Sequence, residues 1–235
     1  MERITVSGFL PKEFRTVEAL KTLRTNLMFY GDEVKVVGLT SFSAAEGKST
    51  LAFQLAASLA QMGRRVLLLD ADLRKSVLPS RLRVRGRVIG LSDYLAGAAD
   101  VADLLYETDM KGFYILFAGG RVPNAAEALG GSRVKKLMSA LRNTFDYVIV
   151  DAAPIGQVVD CAIIAPALDG VLTVIDGTNN SYQLERRMIN QLEKSGARIL
   201  GAILNRVDFQ DQKGYYGKAY DYGADEKSEK TRISR

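Results

Sequence analysis

Three segments carry residues whose types and spacing suit one chemistry, the handling of a phosphate chain together with a divalent cation. The first is Ser43-Ala44-Ala45-Glu46-Gly47-Lys48-Ser49-Thr50. It follows an apolar run and opens a helical pattern, the setting of a phosphate-binding loop. Backbone N–H groups of such a loop and of the helix N-terminus point at phosphate oxygens. Lys48 would reach the β- and γ-phosphates and Ser49 would hold Mg²⁺. The pattern G-x-x-x-x-G-K-[ST] is incomplete, because Phe42 stands at its first position. The second segment is Leu67-Leu68-Leu69-Asp70-Ala71-Asp72-Leu73-Arg74, and the third is Val148-Ile149-Val150-Asp151-Ala152-Ala153-Pro154. Each sets aspartate at the C-terminal end of an apolar run. Residues i and i+2 of a strand share a face, so Asp70 and Asp72 are expected to act on one site.

The elements that must position these residues are legible from periodicity. Apolar, β-branched runs at 34–41, 65–72, 113–118, 146–152, 170–176 and 197–207 read as strands, and helical patterns at 12–30, 49–62, 132–143 and 181–194 separate them. Near-continuous apolar strands alternating with helices imply an α/β fold, a doubly wound, mainly parallel sheet with helices on both faces. In such sheets ligands bind outside the carboxyl ends of the strands, where the loop and the three aspartates would meet. The first helix keeps Leu20, Leu23, Leu27 and Tyr30 at helical spacing, with Gly31 as its stop.

Composition narrows the chemistry further. The 235 residues include no His and a single Cys. That excludes Ser-His-Asp and Cys-His catalysis and a Cys/His zinc site. A lone Cys makes no internal disulfide, which fits a reducing compartment. No apolar run reaches the roughly 18 residues of a membrane span, and the N-terminus has no signal-peptide core, so a cytoplasmic protein is expected. The net charge of +5 is mild. The densest charge run is Arg74, Lys75, Arg81, Arg83, Arg85 and Arg87, read as a solvated loop or a docking surface for an acidic partner or anionic membrane. No base-reading module is visible, so nucleic acid is not an expected partner. Residues 209–235 have almost no aliphatic side chains but carry Tyr215, Tyr216, Tyr220 and Tyr222. They are expected to form a flexible tail on a domain spanning 1–208.

Together these segments resemble the Walker A, A′ and B motifs of the bacterial tyrosine kinases of capsule and exopolysaccharide export. D-x-D-x-R is met by Asp70, Asp72 and Arg74, and D-x-x-P by Asp151 and Pro154. The first helix resembles the family's E-x-x-R-x-x-R assembly motif through Glu18, Lys21 and Arg24, and the tyrosine-rich end resembles its autophosphorylation cluster. Gly90-Leu91-Ser92-Asp93-Tyr94-Leu95 and Leu204-Asn205-Arg206-Val207 also look familial. The resemblance implies an ATP- and Mg²⁺-dependent protein-tyrosine kinase that autophosphorylates in trans on Tyr215, Tyr216, Tyr220 and Tyr222. The nucleotide would lie on Ser43, Ala44, Ala45, Glu46, Gly47, Lys48, Ser49 and Thr50, with Asn205 at the adenine. Ser49 and Asp151 would organise Mg²⁺, with Asp72 near its water shell. Asp70 would take the tyrosine proton, and Arg74 would steady developing charge. A homo-oligomeric ring, a transmembrane adaptor that recruits the chain to the inner membrane face, and a cognate tyrosine phosphatase are the implied partners.

The sequence departs from the family pattern at three places. Ala44-Ala45 replaces Pro-Gly, Lys21 replaces Arg, and Ala153 replaces Pro. If the glycine position requires positive φ, alanine there costs roughly 1–2 kcal/mol. Two rival readings remain. A positioning or partitioning ATPase shares the expected fold but carries a second lysine where this chain has Ser43. A catalytically weak assembly subunit is the other, favoured by Ala44-Ala45.

Overall fold

The computed structural model describes residues 3–178 and 181–207. Seven strands form one sheet: β1 (Val36–Ser41), β2 (Val66–Asp70), β3 (Tyr106–Glu107), β4 (Phe113–Leu116), β5 (Tyr147–Asp151), β6 (Gly170–Asp176) and β7 (Ile199–Asn205). Their order is β3-β4-β2-β5-β1-β6-β7. Every pairing is parallel except β3 with β4. The helices are α1 (Phe14–Met28), α2 (Lys48–Gln61), α3 (Leu78–Arg81), α4 (Leu91–Leu95), α5 (Ala125–Gly130), α6 (Ser132–Thr144), α7 (Asp160–Ile164) and α8 (Tyr182–Lys194). All six expected strands and all four expected helices are present. None of the helices among the described residues is long and apolar enough to cross a membrane.

Strand alternation divides the core between the two faces of the sheet. Val66 and Leu68 join the cluster under α2, whereas Leu67 and Leu69 join the cluster that holds α6. β1, β2 and β5 are buried along their whole length, so their sequences show no polar alternation. β7, at the sheet edge, leaves Leu204 half exposed. The missed strand, β3, has two residues, too short for any period to show. The N-terminal segment pairs there: Ile4 bridges Thr108, and Val6 N–H donates to Asp109 Oδ1 at 2.7 Å.

The central strand β1 lies between β5 and β6, while the chain's next strand, β2, lies beyond β5. The loop leaving β1 therefore emerges at the switch point, where connections diverge to the two sides and a crevice opens. Gly90 has a packing reason. A Cβ there would overlap the backbone of Gly119 and Phe117, while Leu91 and Ser92 N–H groups reach Phe117 O and Ala118 O at 2.8 and 2.9 Å. Gly90→Ala must push two backbones apart. We expect a loss of about 1–3 kcal/mol, read as a lower thermal unfolding midpoint.

Candidate functional site

The loop after β1 is held from outside by the end of β7. Asn205 Nδ2 donates to Glu46 O at 2.9 Å, and Arg206 Nη2 donates to Ala45 O at 2.7 Å. In a trans peptide the next N–H points opposite the carbonyl. Tying those two carbonyls toward β7 therefore turns the Glu46 and Gly47 N–H groups the other way. Arg206 is itself fixed by Asp176 at 2.6 Å. Gly47 has φ of +90°, and a Cβ there would overlap Asn205, so only glycine fits. Ala45 has φ of +67°, the left-handed region in which alanine is strained.

The amides of Lys48, Ser49 and Thr50 open α2 and find no acceptor among the described residues, as expected of a first helical turn. Lys48, only 6% exposed, turns inward and pairs with Asp151 at the end of β5. Its Nζ also lies 3.3 Å from Ser49 Oγ. Asp151 is the register partner of Asp70 on β2. Asp70 accepts hydrogen bonds from Ser76 Oγ and, at 3.1 Å, from the Asp72 N–H. Burial first, and the neighbouring Asp151 carboxylate second, push the Asp70 carboxyl up to about 7. Two buried carboxylates and one lysine thus share one spot.

The other expected residues fall in different positions. β2 ends at Asp70, so strand alternation does not carry Asp72 onto the same site. Asp72 Oδ1 instead accepts the amides of Arg74 and Lys75 at 3.2 and 2.9 Å, an Asx turn that bends the chain away. Arg74 is clamped bidentately by buried Asp160 of α7, at 2.7 and 2.9 Å. Asn205 occupies the strand-end position under the loop, with its amide directed at Glu46 O. Glu18 and Lys21 pair with each other at 2.6 Å on the exposed face of α1, whereas Arg24 points at α2 and donates to Ser58 O at 3.0 Å. Tyr215, Tyr216, Tyr220 and Tyr222 lie outside the described residues. Cys161 is buried, and its thiol is pushed up to about 11, so it offers no reactive thiolate. Sequence reasoning missed Asp160, Ser76 and Asp176. Each is a single polar residue that acquires meaning only through a long-range contact.

Among the described residues no three His, Cys, Asp or Glu side chains form a preformed metal cage. Mg²⁺ does not need one. It binds through one or two carboxylates plus substrate phosphates and keeps several waters. The Ser49 hydroxyl and the Asp151 carboxylate, which both meet Lys48 Nζ, are a donor set of that kind.

Fold and loop define a P-loop nucleotide-binding protein, and comparison with known proteins agrees. The chain matches the AAA domain family over residues 34–199. It is 38% identical to the tyrosine-protein kinase CpsD of Streptococcus agalactiae, covering 96% of this chain and 97% of that one. The crystal structure of the VpsO kinase domain superposes with a TM-score of 0.75 at 34% identity, covering 83% of this chain and 97% of that domain. The septum site-determining protein MinD of Pyrococcus horikoshii, solved with Mg-ADP, is more distant, with a TM-score of 0.62 at 27% identity over 74% of this chain and 70% of that one. The chain belongs to the bacterial tyrosine-kinase family.

Two expectations follow from this geometry. Replacing Ala45 by Gly relieves left-handed strain of about 1–2 kcal/mol against an unfolded-chain entropy of about 0.4–1 kcal/mol. A net stabilisation on the order of 1 kcal/mol or less is expected, read by thermal unfolding, with tighter Mg-ADP binding by calorimetry. The second concerns pH. A carboxyl whose folded pKa is raised binds more protons in the native state, so its stabilising contribution is complete below about pH 4 and is lost as pH rises toward 7. Burial also raises Glu46, in the same direction, whereas Asp93, Asp109 and Asp176 are lowered and act below their ordinary range. In metal- and nucleotide-free buffer, stability should fall between about pH 4 and 7. Asp70→Asn should flatten that slope in a series of denaturant melts.

Proposed function

We propose that the chain is an ATP-dependent protein-tyrosine kinase that phosphorylates its own C-terminal cluster in trans and thereby regulates capsular or exopolysaccharide polymerisation and export. The observation that carries this reading is the convergence of Lys48, Asp151 and Asp70 beneath a loop whose carbonyls are tied back to β7. An arriving phosphate chain meets the free amides of α2's first turn and a lysine already in place. With a phosphate chain bound, Lys48 would exchange Asp151 for phosphate oxygens, and Asp151 and Ser49 would be the residues that hold Mg²⁺. Mg²⁺, when bound, neutralises charge on the β- and γ-phosphates. A tyrosine Oη then forms a bond to the γ-phosphorus, the bond from that phosphorus to the β,γ-bridging oxygen breaks, and ADP leaves. The tyrosine proton passes to the Asp70 carboxylate, whose raised pKa makes it a competent acceptor near neutrality.

Asp72 sits one short turn away, on the edge of this site, and would reach the cation only through water. Arg74 would act indirectly, since Asp160 holds it and so fixes the bend that carries Ser76 onto Asp70. Tyr215, Tyr216, Tyr220 and Tyr222 are the acceptors in this reading, on a tail spanning 209–235 outside the 1–208 kinase domain. The exposed Glu18 and Lys21 face is the candidate contact for a homo-oligomeric ring, with Arg24 bracing α1 on α2. A transmembrane adaptor would recruit the chain to the inner membrane face, and a tyrosine phosphatase would reverse the modification. Each phosphate adds about −1.5 to −2 charges, so a fully modified tail would repel its neighbours and favour ring dissociation.

Lys48→Met is expected to abolish Mg-ATP binding and autophosphorylation together, measured by calorimetry and radiolabel transfer. Labelling at the wild-type level would overturn the site assignment. Replacing all four tail tyrosines by Phe should remove most of the label while leaving ATP affinity unchanged. Undiminished labelling would mean that the acceptor lies elsewhere.

A further inference from the structure

The connection from β2 to α4 carries six basic side chains, and they are not equivalent. Arg74 is held by Asp160 and Arg87 by Asp93. Among the described residues no carboxylate pairs with Lys75, Arg81, Arg83 or Arg85. Of these four, only Arg81 hydrogen-bonds to the helix that follows the phosphate loop. Its Nη1 donates to Thr50 Oγ1 at 2.7 Å. Thr50 is the third residue of α2 and belongs to the turn whose amides have no acceptor.

Arg81 does not ride on a loose loop. Leu78 and Leu82, at either end of its short helix, are 2% and 7% exposed and lie in the same core as Phe53 and Leu55 of α2. The turn that follows is closed by Arg83 N–H to Ser80 O at 3.1 Å and Val84 N–H to Pro79 O at 2.9 Å. Arg83 adopts φ of +53° to make it. A non-glycine residue persists in that region where its surroundings over-determine it. The fold thus presents one guanidinium, with no carboxylate partner, at the exposed side of the first turn of α2. Lys48 occupies the buried side.

We propose that Arg81 is a second phosphate-binding cation of the nucleotide site. It rests on Thr50 Oγ1 in the nucleotide-free protein and transfers to a phosphate oxygen when Mg-ATP or Mg-ADP binds. A neutral hydroxyl is the weaker partner. Guanidinium bonds to anionic oxygen are shorter and about twice as strong, and the planar fork can take two oxygens at once. The same residue would then help to tell a nucleotide from a free adenosine, by grasping the chain from the side opposite Lys48.

This inference rests on the reading of the loop as a nucleotide site, and the experiment separates the two. Mg-ADP is titrated calorimetrically into the full chain and into Arg81→Gln, Arg81→Lys and Arg83→Gln. Arg81→Gln keeps a donor for Thr50 but loses the charge. We expect its affinity to fall roughly tenfold or more, the scale of one hydrogen bond to a charged group. KM for ATP should rise with little change in kcat. Arg81→Lys should recover part of the loss. Arg83→Gln removes the same charge from the same connection without touching α2, and should bind like wild type. Wild-type affinity in Arg81→Gln would overturn the inference while leaving the nucleotide site intact, and so would an equal loss in Arg83→Gln, which would reveal only a diffuse field. No binding of Mg-ADP to the wild-type chain would overturn both.

Discussion

The buried pair between Lys48 and Asp151 is the contact on which the rest of the site depends. Two charges taken from water at the centre of a sheet are not an obvious source of stability. Desolvation costs several kcal/mol per ion, and a hydrophobic pair of similar volume would serve the fold as well. What the pair provides is a lysine held in place inside the protein until a phosphate chain replaces its carboxylate. Asp70, on the adjacent strand, feels both groups. Its pKa is raised first by its own burial and second by the neighbouring Asp151 carboxylate.

The architecture around that pair is a way of holding three strand ends in register. β2, β5 and β1 are neighbours in the sheet, so Asp70, Asp151 and the loop emerge side by side. The loop needs support from a fourth direction, and β7 supplies it from the far side of β6. Arg206 and Asn205 draw two loop carbonyls outward, and Asp176 fixes Arg206. Arg74 and Asp160 brace the opposite flank by joining the turn after β2 to α7. The consequence is a rigid cradle built by long-range polar contacts on a parallel-sheet core.

The elements were legible because their signals are local. Unbroken apolar runs announced the buried strands, and helical spacing announced α1, α2, α6 and α8. The loop at 43–50 and the aspartates at strand ends were legible by type and place. The strain at Ala45 could be anticipated only conditionally, and the structure supplies the condition, a positive φ. What the sequence concealed were residues whose role depends on a distant partner. Asp160 looks like any helix-start acid until Arg74 meets it. Gly90 looks like a turn glycine until Gly119 closes on it. Asp72 was placed on the strand, but the strand stops at Asp70, and the carboxylate caps its own turn. Arg81 was one of a row of basic residues until the fold set it on Thr50.

The most direct test of the central claim is a crystal structure of the chain with Mg²⁺ and a non-hydrolysable ATP analogue. The Lys48 Nζ is expected to have left Asp151 and to lie within about 3 Å of phosphate oxygens, at charge-assisted hydrogen-bond distance, with Asp151 turned to the cation. A nucleotide bound while Lys48 remains paired with Asp151, or bound away from the loop at 43–50, would contradict it.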